Sequence, residues 1–440
     1  MLRVESTLQN LFDMGFAPLF GLVVLLLVVL PLCLVIFRLP FLYSAILAVG
    51  LATGLSFGLG FVGQLGRFVL VAFLAIVALV DRKPFHMTRG TWIFLICVVL
   101  YILQFPRAAS LFDAVTRMLY YICAFFGYVI LTQKLCQNPD QFRKAIYWMV
   151  AVSFLMVWAQ VFFLGQAGGG RLMGIFVSVT YCGYGLSMAI LLILYALIAG
   201  YLKRLFMIVG IVTLTLAVVM LMLTGVRAMV LAGILSLPFL LKMRPGRGFV
   251  VVLVGAVLLV LILPFMLISF QEYGSGIQRL TSMDSSGRFV RWSMMWEEIK
   301  ESPIIGYGMM QDMQTKRHAH NSFLQAAYSS GVPTAMLILL GFTAAVMNSW
   351  WQIGKLPVGP QRQMAALSGA LLMLVYINSY MNAVLLSMDL YFTLFCIGLG
   401  IQNAISHYIA EGRRAHPGIY YASPAGANLA YGTNSLTGAR

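Results

Sequence analysis

Apolar residues fall in long blocks along this chain, separated by short polar connections, and most blocks lack the polar face a helix in water needs. They occupy 19–37, 41–60, 68–80, 92–103, 118–131, 146–164, 175–198, 205–223, 229–241, 249–268, 333–346, 364–377 and 384–405. A helix needs about 20 residues to cross the hydrocarbon of a bilayer. The shorter blocks qualify once the Gly, Ser, Thr and Tyr at their ends are included. The pattern predicts an all-α polytopic membrane protein of about twelve or thirteen transmembrane helices. Residues 1–410 form one transmembrane domain, and 271–321 are its largest extracytoplasmic connection. The first block reads as a retained span rather than a cleaved signal. Residues 411–440 are rich in Gly, Ala, Ser, Asn and Tyr without apolar periodicity, the composition of a disordered tail. No internal repeat stands out, which weighs against an inverted-repeat transporter.

The long connection has a pattern of its own. Phe289, Trp292, Met295, Trp296 and Ile299 recur at helical spacing, with Glu297, Glu298, Lys300 and Glu301 largely off that stripe. This predicts a short helix lying on the membrane surface with its tryptophans at headgroup level. Ser286 is its expected N-cap, Arg288 falls in its first turn, and Pro303 ends it.

Composition fits the pattern: 61% of the 440 residues are hydrophobic and 10% charged, with mean hydropathy +0.92. A soluble globule carries roughly 25% charged residues. The net charge of +16 would suit nucleic acid, but its distribution points elsewhere. Lys and Arg concentrate in alternating connections: Arg38; Arg82, Lys83 and Arg89; Lys134, Arg143 and Lys144; Lys203 and Arg204; Lys242, Arg244 and Arg247; Lys355 and Arg362; Arg413 and Arg414. That is the positive-inside signature, which makes these connections and the C-terminal tail cytoplasmic. An odd number of spans puts the N-terminus outside. The six cysteines lie in or beside apolar blocks without paired spacing and read as small hydrophobes.

Against that sidedness, four arginines map to the extracytoplasmic face: Arg171 after Gly168-Gly169-Gly170 at the start of a span, Arg227 in the hairpin Thr224-Gly225-Val226-Arg227, and Arg288 and Arg291 on the loop helix. One arginine at a helix end can simply snorkel to headgroups; four on one face suit a dianionic ligand, because guanidinium forks match phosphate oxygens and stay charged. His318 and His320 lie where the long loop enters the next span, in Lys316-Arg317-His318-Ala319-His320-Asn321. Together these residues suit a lipid with a pyrophosphate leaving group at the membrane surface. Arginines stabilise the departing charge, and His320 deprotonates an attacking hydroxyl. Like charge from Lys316, Arg317 and Arg288 would favour the neutral imidazole that a base requires. No Asp-x-Asp pair or acidic cluster suggests a Mg²⁺ or Mn²⁺ site. No Gly-x-Ser-x-Gly suggests a serine hydrolase, so neither metal nor cofactor is expected.

These residues resemble the bacterial O-antigen ligases and the related O-antigen and exopolysaccharide polymerases. The ligase histidine pattern reads here as His320-Asn321, nine residues, Gly331, two residues, Thr334. An arginine pattern matches Arg227 and Leu231. Ser286-Gly287-Arg288, Trp292 and Pro303-x-x-Gly306-x-Gly308 match a third pattern, and Arg171, Gly174 and Phe176 a fourth. The Asn-Pro pair usual after the fourth is replaced by Ser178-Val179-Thr180-Tyr181. The resemblance implies an inverting, metal-independent glycosyltransferase of the bacterial inner membrane, acting at the periplasmic face on an undecaprenyl-pyrophosphate-linked glycan. It implies His320 as base, Arg227 and Arg288 as pyrophosphate clamps and Arg171 as a supporting anchor. Arg291, Arg317, His318 and Asn321 are further candidates for substrate contact. The acceptor is lipid A-core for a ligase and a second lipid-linked glycan for a polymerase. A protein-directed glycan transferase and a lipid-linked glycan transporter are the remaining alternatives; the near absence of ionisable residues within the spans disfavours transport.

Overall fold

The computed structural model describes residues 60–108, 110–162, 166–167, 171–176, 178–269, 287–308, 320–382 and 390–415. The helices in chain order are α1 (Gly60–Val80), α2 (Arg89–Ile102), α3 (Leu111–Ala124), α4 (Leu131–Cys136), α5 (Pro139–Phe162), α6 (Val179–Ala199), α7 (Arg204–Thr224), α8 (Arg227–Met243), α9 (Pro245–Ser269), α10 (Arg288–Glu301), α11 (Ser322–Ser330), α12 (Val332–Lys355), α13 (Pro360–Met381) and α14 (Leu390–Ala415). Each apolar block beyond residue 60 is carried by one of them, except 118–131, which runs from α3 into α4. The block 19–37, and all but the last residue of 41–60, lie outside the described residues.

The protein is an all-α polytopic membrane protein. Among the described residues, seven helices are long and apolar enough to cross a bilayer, and Leu70–Val80, Arg89–Ile102 and Pro245–Leu261 are shorter apolar helices. The expectation of about twelve or thirteen spans thus divides into two classes. At 1.5 Å per residue, the 14 residues of α2 rise about 21 Å, short of the roughly 30 Å hydrocarbon layer. A two-residue antiparallel pair, β1 (Gln166–Ala167) with β2 (Arg171–Leu172), adds to the expected helices. α14 continues through Ala415, into the segment expected as an unstructured tail; an i,i+4 contact between His407 and Glu411 at 3.1 Å lies on that last stretch.

Central position follows from burial. α6 is enclosed over 94% of its most apolar stretch, whereas α12 is enclosed over 33% and leaves most of its surface outward. α8 and α13 pack closely, with Phe239 against Gly369, where a side chain would overlap the ring. Arg362 at the start of α13 donates to the Lys242 carbonyl near the end of α8 through Nε (3.1 Å) and Nη2 (2.6 Å). Lys242 itself lies 3.9 Å from the Trp350 ring centroid. The two helices therefore run antiparallel, so Arg227 and Met381 share one end of the bundle, opposite the basic connections.

Span α3–α4 contains a π-helical turn at Phe125–Ile130 where Gly127 lets α1 approach: a Cβ there would lie 2.9 Å from Leu74 Cβ. π-turns inside α-helices mark such irregular packing. Buried Lys134 caps α1 by donating to the carbonyls of Ala78 (2.7 Å) and Asp81.

Polar groups buried among apolar helices must find partners, since hydrocarbon supplies none. Gln402 of α14 donates to Ala345 O (2.6 Å) and Ser349 Oγ (2.8 Å) of α12. Fully buried Asn403 accepts at Oδ1 from the Thr88 amide (3.0 Å) and the Thr91 hydroxyl (2.8 Å), tying α14 to the N-terminus of α2. Asn403→Leu removes the acceptor for both and is expected to cost about 1–3 kcal/mol, read as a lower unfolding midpoint in detergent; an unchanged midpoint would mean that the Thr88–Thr91 cap stands without α14.

Candidate active site

The site is assembled where helices end. α11 is nine residues long, and both its ends are finished by specific groups. At its N-terminus Asn321 is the cap: Oδ1 accepts from the amides of Phe323 (2.9 Å) and Leu324 (3.1 Å). The Asn321 side chain, expected to contact substrate, is therefore occupied in holding the helix, and its residue is buried. Ser322 Oγ donates to the Asn382 carbonyl at the end of α13 (2.9 Å). His320, immediately before the cap, is exposed and has φ +48°, the one positive φ outside glycine among the described residues.

At the other end of α11, its last four carbonyls all have donors. The Gly331 amide reaches Ala327 O (2.9 Å), the Tyr307 amide Tyr328 O (2.8 Å) and the Gly308 amide Ser329 O (3.0 Å), while the Thr334 hydroxyl reaches Ser330 O (3.0 Å). A fourth backbone bond, Val332 N to Pro303 O (2.7 Å), completes a clamp between the segment after α10 and the α11–α12 junction. This clamp explains two of the motif spacings. The nine residues between Asn321 and Gly331 are α11, and Thr334 is one turn beyond its end. Gly331 (φ +87°) meets the Ile304 carbonyl so closely that no side chain fits, and a Cβ on Gly306 (φ +64°) would lie 2.6 Å from Tyr328 O. Tyr307 stacks on Tyr328 with centroids 4.9 Å apart and donates to Glu298 O (3.0 Å) and Glu301 Oε2 (2.8 Å). The hydrogen bond to that carboxylate pushes the phenol above its ordinary pKa, keeping it a donor.

The clamp fixes α10 against α11. Met295 and Ile299 are buried against Ala326, Ala327 and Tyr328, with Trp292 half-buried one turn before Met295 on the same row. Arg288 lies on the same row, seven residues before Met295, and its Nη1 comes within 3.7 Å of Met381 Sδ. The single apolar stripe expected for α10 is thus divided. Its inner row is Trp292, Met295 and Ile299, while Phe289 (67% exposed) and Trp296 (45%) face outward, because they stand about 60–100° away at 100° per residue. The helix begins one residue later than expected, with Gly287 at φ +68° in the cap position; Ser286 lies outside the described residues. Arg291 is exposed, off the inner row.

A second group forms around α7 and α8. Arg171, on β2, donates from Nε to the Thr224 carbonyl at the end of α7 (2.8 Å). Thr224 in turn accepts from the Val226 amide at Oγ1 (3.3 Å), next to Arg227. Gln160 of α5 pins the segment after β2, donating to Met173 O (3.2 Å) and accepting from the Ile175 amide (3.1 Å). Gly174 (φ +60°) lies against this amide where no side chain fits, and Phe176 is buried in the core. α6 begins only at Val179, capped by Ser178, so Arg171 sits on the hairpin rather than at the start of the span.

The structure thus pairs Arg288 with the His320 segment across Met381 and Asn382, and Arg171 with Arg227 across Thr224, both at one end of the bundle. α6 and α11 have side-chain caps at this end, while α8 and α10, which open with Arg227 and Arg288, have none. Lys316, Arg317 and His318 lie outside the described residues. Among those described, no group of three or more His, Cys, Asp or Glu comes together to hold a metal ion. The sequence reading missed Arg107, whose carbonyl packs against Gly308 where no side chain fits, and half-buried Arg117 of α3. Their departure from the positive-inside bias was the available signal.

Gly331→Ala places a methyl on the Ile304 carbonyl and is expected to open the clamp. In a Met295→Cys background the thiol should then react with a water-soluble maleimide, while the Gly331 parent stays protected; equal protection in both would show that α10 docks without the clamp.

A search of curated proteins finds no match to the chain. Residues 212–339 match the family model described as O-Antigen ligase. That segment contains Arg227, Arg288 and His320 with the helices that hold them, and leaves Arg171 outside. Through that segment the chain is similar to the family of O-antigen ligases and the polymerases related to them.

Proposed function

We propose that the protein is an inverting, metal-independent glycosyltransferase that moves a glycan from undecaprenyl pyrophosphate to an acceptor hydroxyl at the periplasmic face of the bacterial inner membrane. The observation that carries this reading is the meeting of Arg288 and the His320 segment on the end of α13. His320 takes the proton of the acceptor hydroxyl, and the oxygen attacks the anomeric carbon from the side opposite the pyrophosphate. The bond from that carbon to the pyrophosphate oxygen breaks, and undecaprenyl pyrophosphate leaves with the electron pair. Arg288 and Arg227 neutralise the charge that grows on the leaving group, and Arg171 holds the hairpin that presents Arg227. Arg291, Arg317 and His318 are assigned to the rim that meets the glycans, and Asn321 to the capping of the helix that follows the base.

A ligase would pass the glycan to lipid A-core and a polymerase to another lipid-linked repeat; we favour the ligase on the His320–Thr334 pattern. Mass analysis of the product formed by purified protein with a lipid-linked donor and each acceptor separates the two. It also tests the less favoured transfer to protein, and a donor merely moved across the membrane would leave no product.

His320→Ala is expected to lower transfer about 10²–10⁴-fold and Arg288→Ala about 10²–10³-fold, with unchanged unfolding midpoints. Arg288→Lys should recover little, because an ammonium lacks the bidentate fork. Transfer at the parent rate by either alanine variant would sink the mechanism.

A further inference from the structure

An apolar groove of about 420 Å³ opens between α6, α7, α8 and α9. It follows one face of α8 from Val230 through Ile234 and Leu237 to Leu240, about 15 Å at the helical rise. Arg227 lies one turn above Val230 on this face, and Leu221 and Met222 bring the groove up to the end of α7, where Arg171 binds Thr224. The wall asks for no water. Its hydroxyls belong to Ser187, Thr215 and Ser236, and each donates to a carbonyl of its own helix or pairs with Tyr391. Gly233 of α8 and Gly255 of α9 both line the groove, and a Cβ built on either meets nothing within 4 Å. The walls thus carry hollows where packed helices normally touch.

We infer that this groove receives the first isoprene units of a polyprenyl pyrophosphate whose head group lies at Arg227 and Arg171. The inference rests on the pyrophosphate-lipid donor proposed above and adds where its tail runs. Moving a hydrocarbon tail from lipid into protein brings no hydrophobic gain, so selection depends on packing. Methyl branches along the tail fit the glycine hollows, while a straight acyl chain leaves them empty and forfeits contacts. The groove also fixes the direction in which the pyrophosphate enters, bringing it past Arg227 toward Arg288.

The test uses the full chain in lipid nanodiscs with one glycan on two donors, an undecaprenyl pyrophosphate and a two-isoprene analogue. Gly233→Leu and Gly255→Leu fill the hollows and are expected to raise KM for the long donor about tenfold or more with kcat nearly unchanged. They should leave the short donor unaffected. Gly246→Leu, in equally open space at the start of α9 and outside the groove, should affect neither. Equal shifts for both donors, or none, overturn the inference. A second readout needs no turnover: a photoreactive polyprenyl pyrophosphate should label α8 and α9 in the parent protein, with protection by undecaprenyl pyrophosphate and none by dioleoyl phosphatidic acid. Labelling elsewhere, or equal protection by phosphatidic acid, overturns it even where a leucine variant fails to fold. Labelling in the groove without transfer to any acceptor would instead overturn the proposed reaction and leave the groove assignment standing.

Discussion

A helix of nine residues is too short to persist alone, since isolated helices below about 12–15 residues are marginal in water. α11 stands because its ends are completed from outside: Asn321 caps its first amides, and three donors from neighbouring segments and one from Gly331 take its last four carbonyls. Two of those donors, the amides of Tyr307 and Gly308, come from the segment that follows α10. The bonds that stabilise α11 are therefore the bonds that locate α10. Arg288 and His320, 32 positions apart in the sequence, are brought to one end of the bundle by these backbone hydrogen bonds. The glycines at 306, 308 and 331 are the condition for this, because each lies where a side chain would strike the opposing backbone.

The uncapped starts of α8 and α10 fit the same logic from the electrostatic side. The first turn of a helix carries unsatisfied amides and the positive end of the macrodipole, which favours anions and disfavours cations by a few tenths of a kcal/mol or more. Arg227 and Arg288 thus occupy positions that are mildly unfavourable for an empty protein. An anion in front of them reverses the sign, because backbone amides, dipole and guanidinium then act on the same charge. Ser178 and Asn321 cap α6 and α11 at this end, while α12, which also starts here, has no side-chain cap and carries Pro333 in its first turn.

Most of the fold was legible because hydropathy is a local property. Each apolar block beyond residue 60 became helical, 118–131 through a π-turn between α3 and α4, and basic residues mark a common end. Four ligase-family patterns also picked out residues that the structure gathers at one end of the bundle. What the residues did not disclose are the long-range partners. Asn321 looked like a substrate contact because its capping role depends on a helix that starts one residue later. Arg171 looked like the beginning of a span because Gln160, which pins the segment beyond it, is eleven residues away on another helix. The stripe on α10 split because Arg288 shares the inner row: periodicity identifies which residues share a face, and only the partner helix decides which part of that face is covered.

The backbone at His320 supplies an argument of another kind. Its φ of +48° is a conformation that glycine adopts freely and that costs other residues of order 1 kcal/mol or more. The turn is needed, since it delivers Asn321 into the capping position, and glycine there would make it at no cost. The sequence uses glycine for this purpose at 225, 287, 306, 308 and 331, all within the same end of the bundle. Histidine at 320 departs from that habit at the one position where the turn also points a side chain outward beside the end of α13. A histidine at a strained position that glycine would fill at less cost fits a role for its side chain, and the imidazole is what the proposed proton transfer requires.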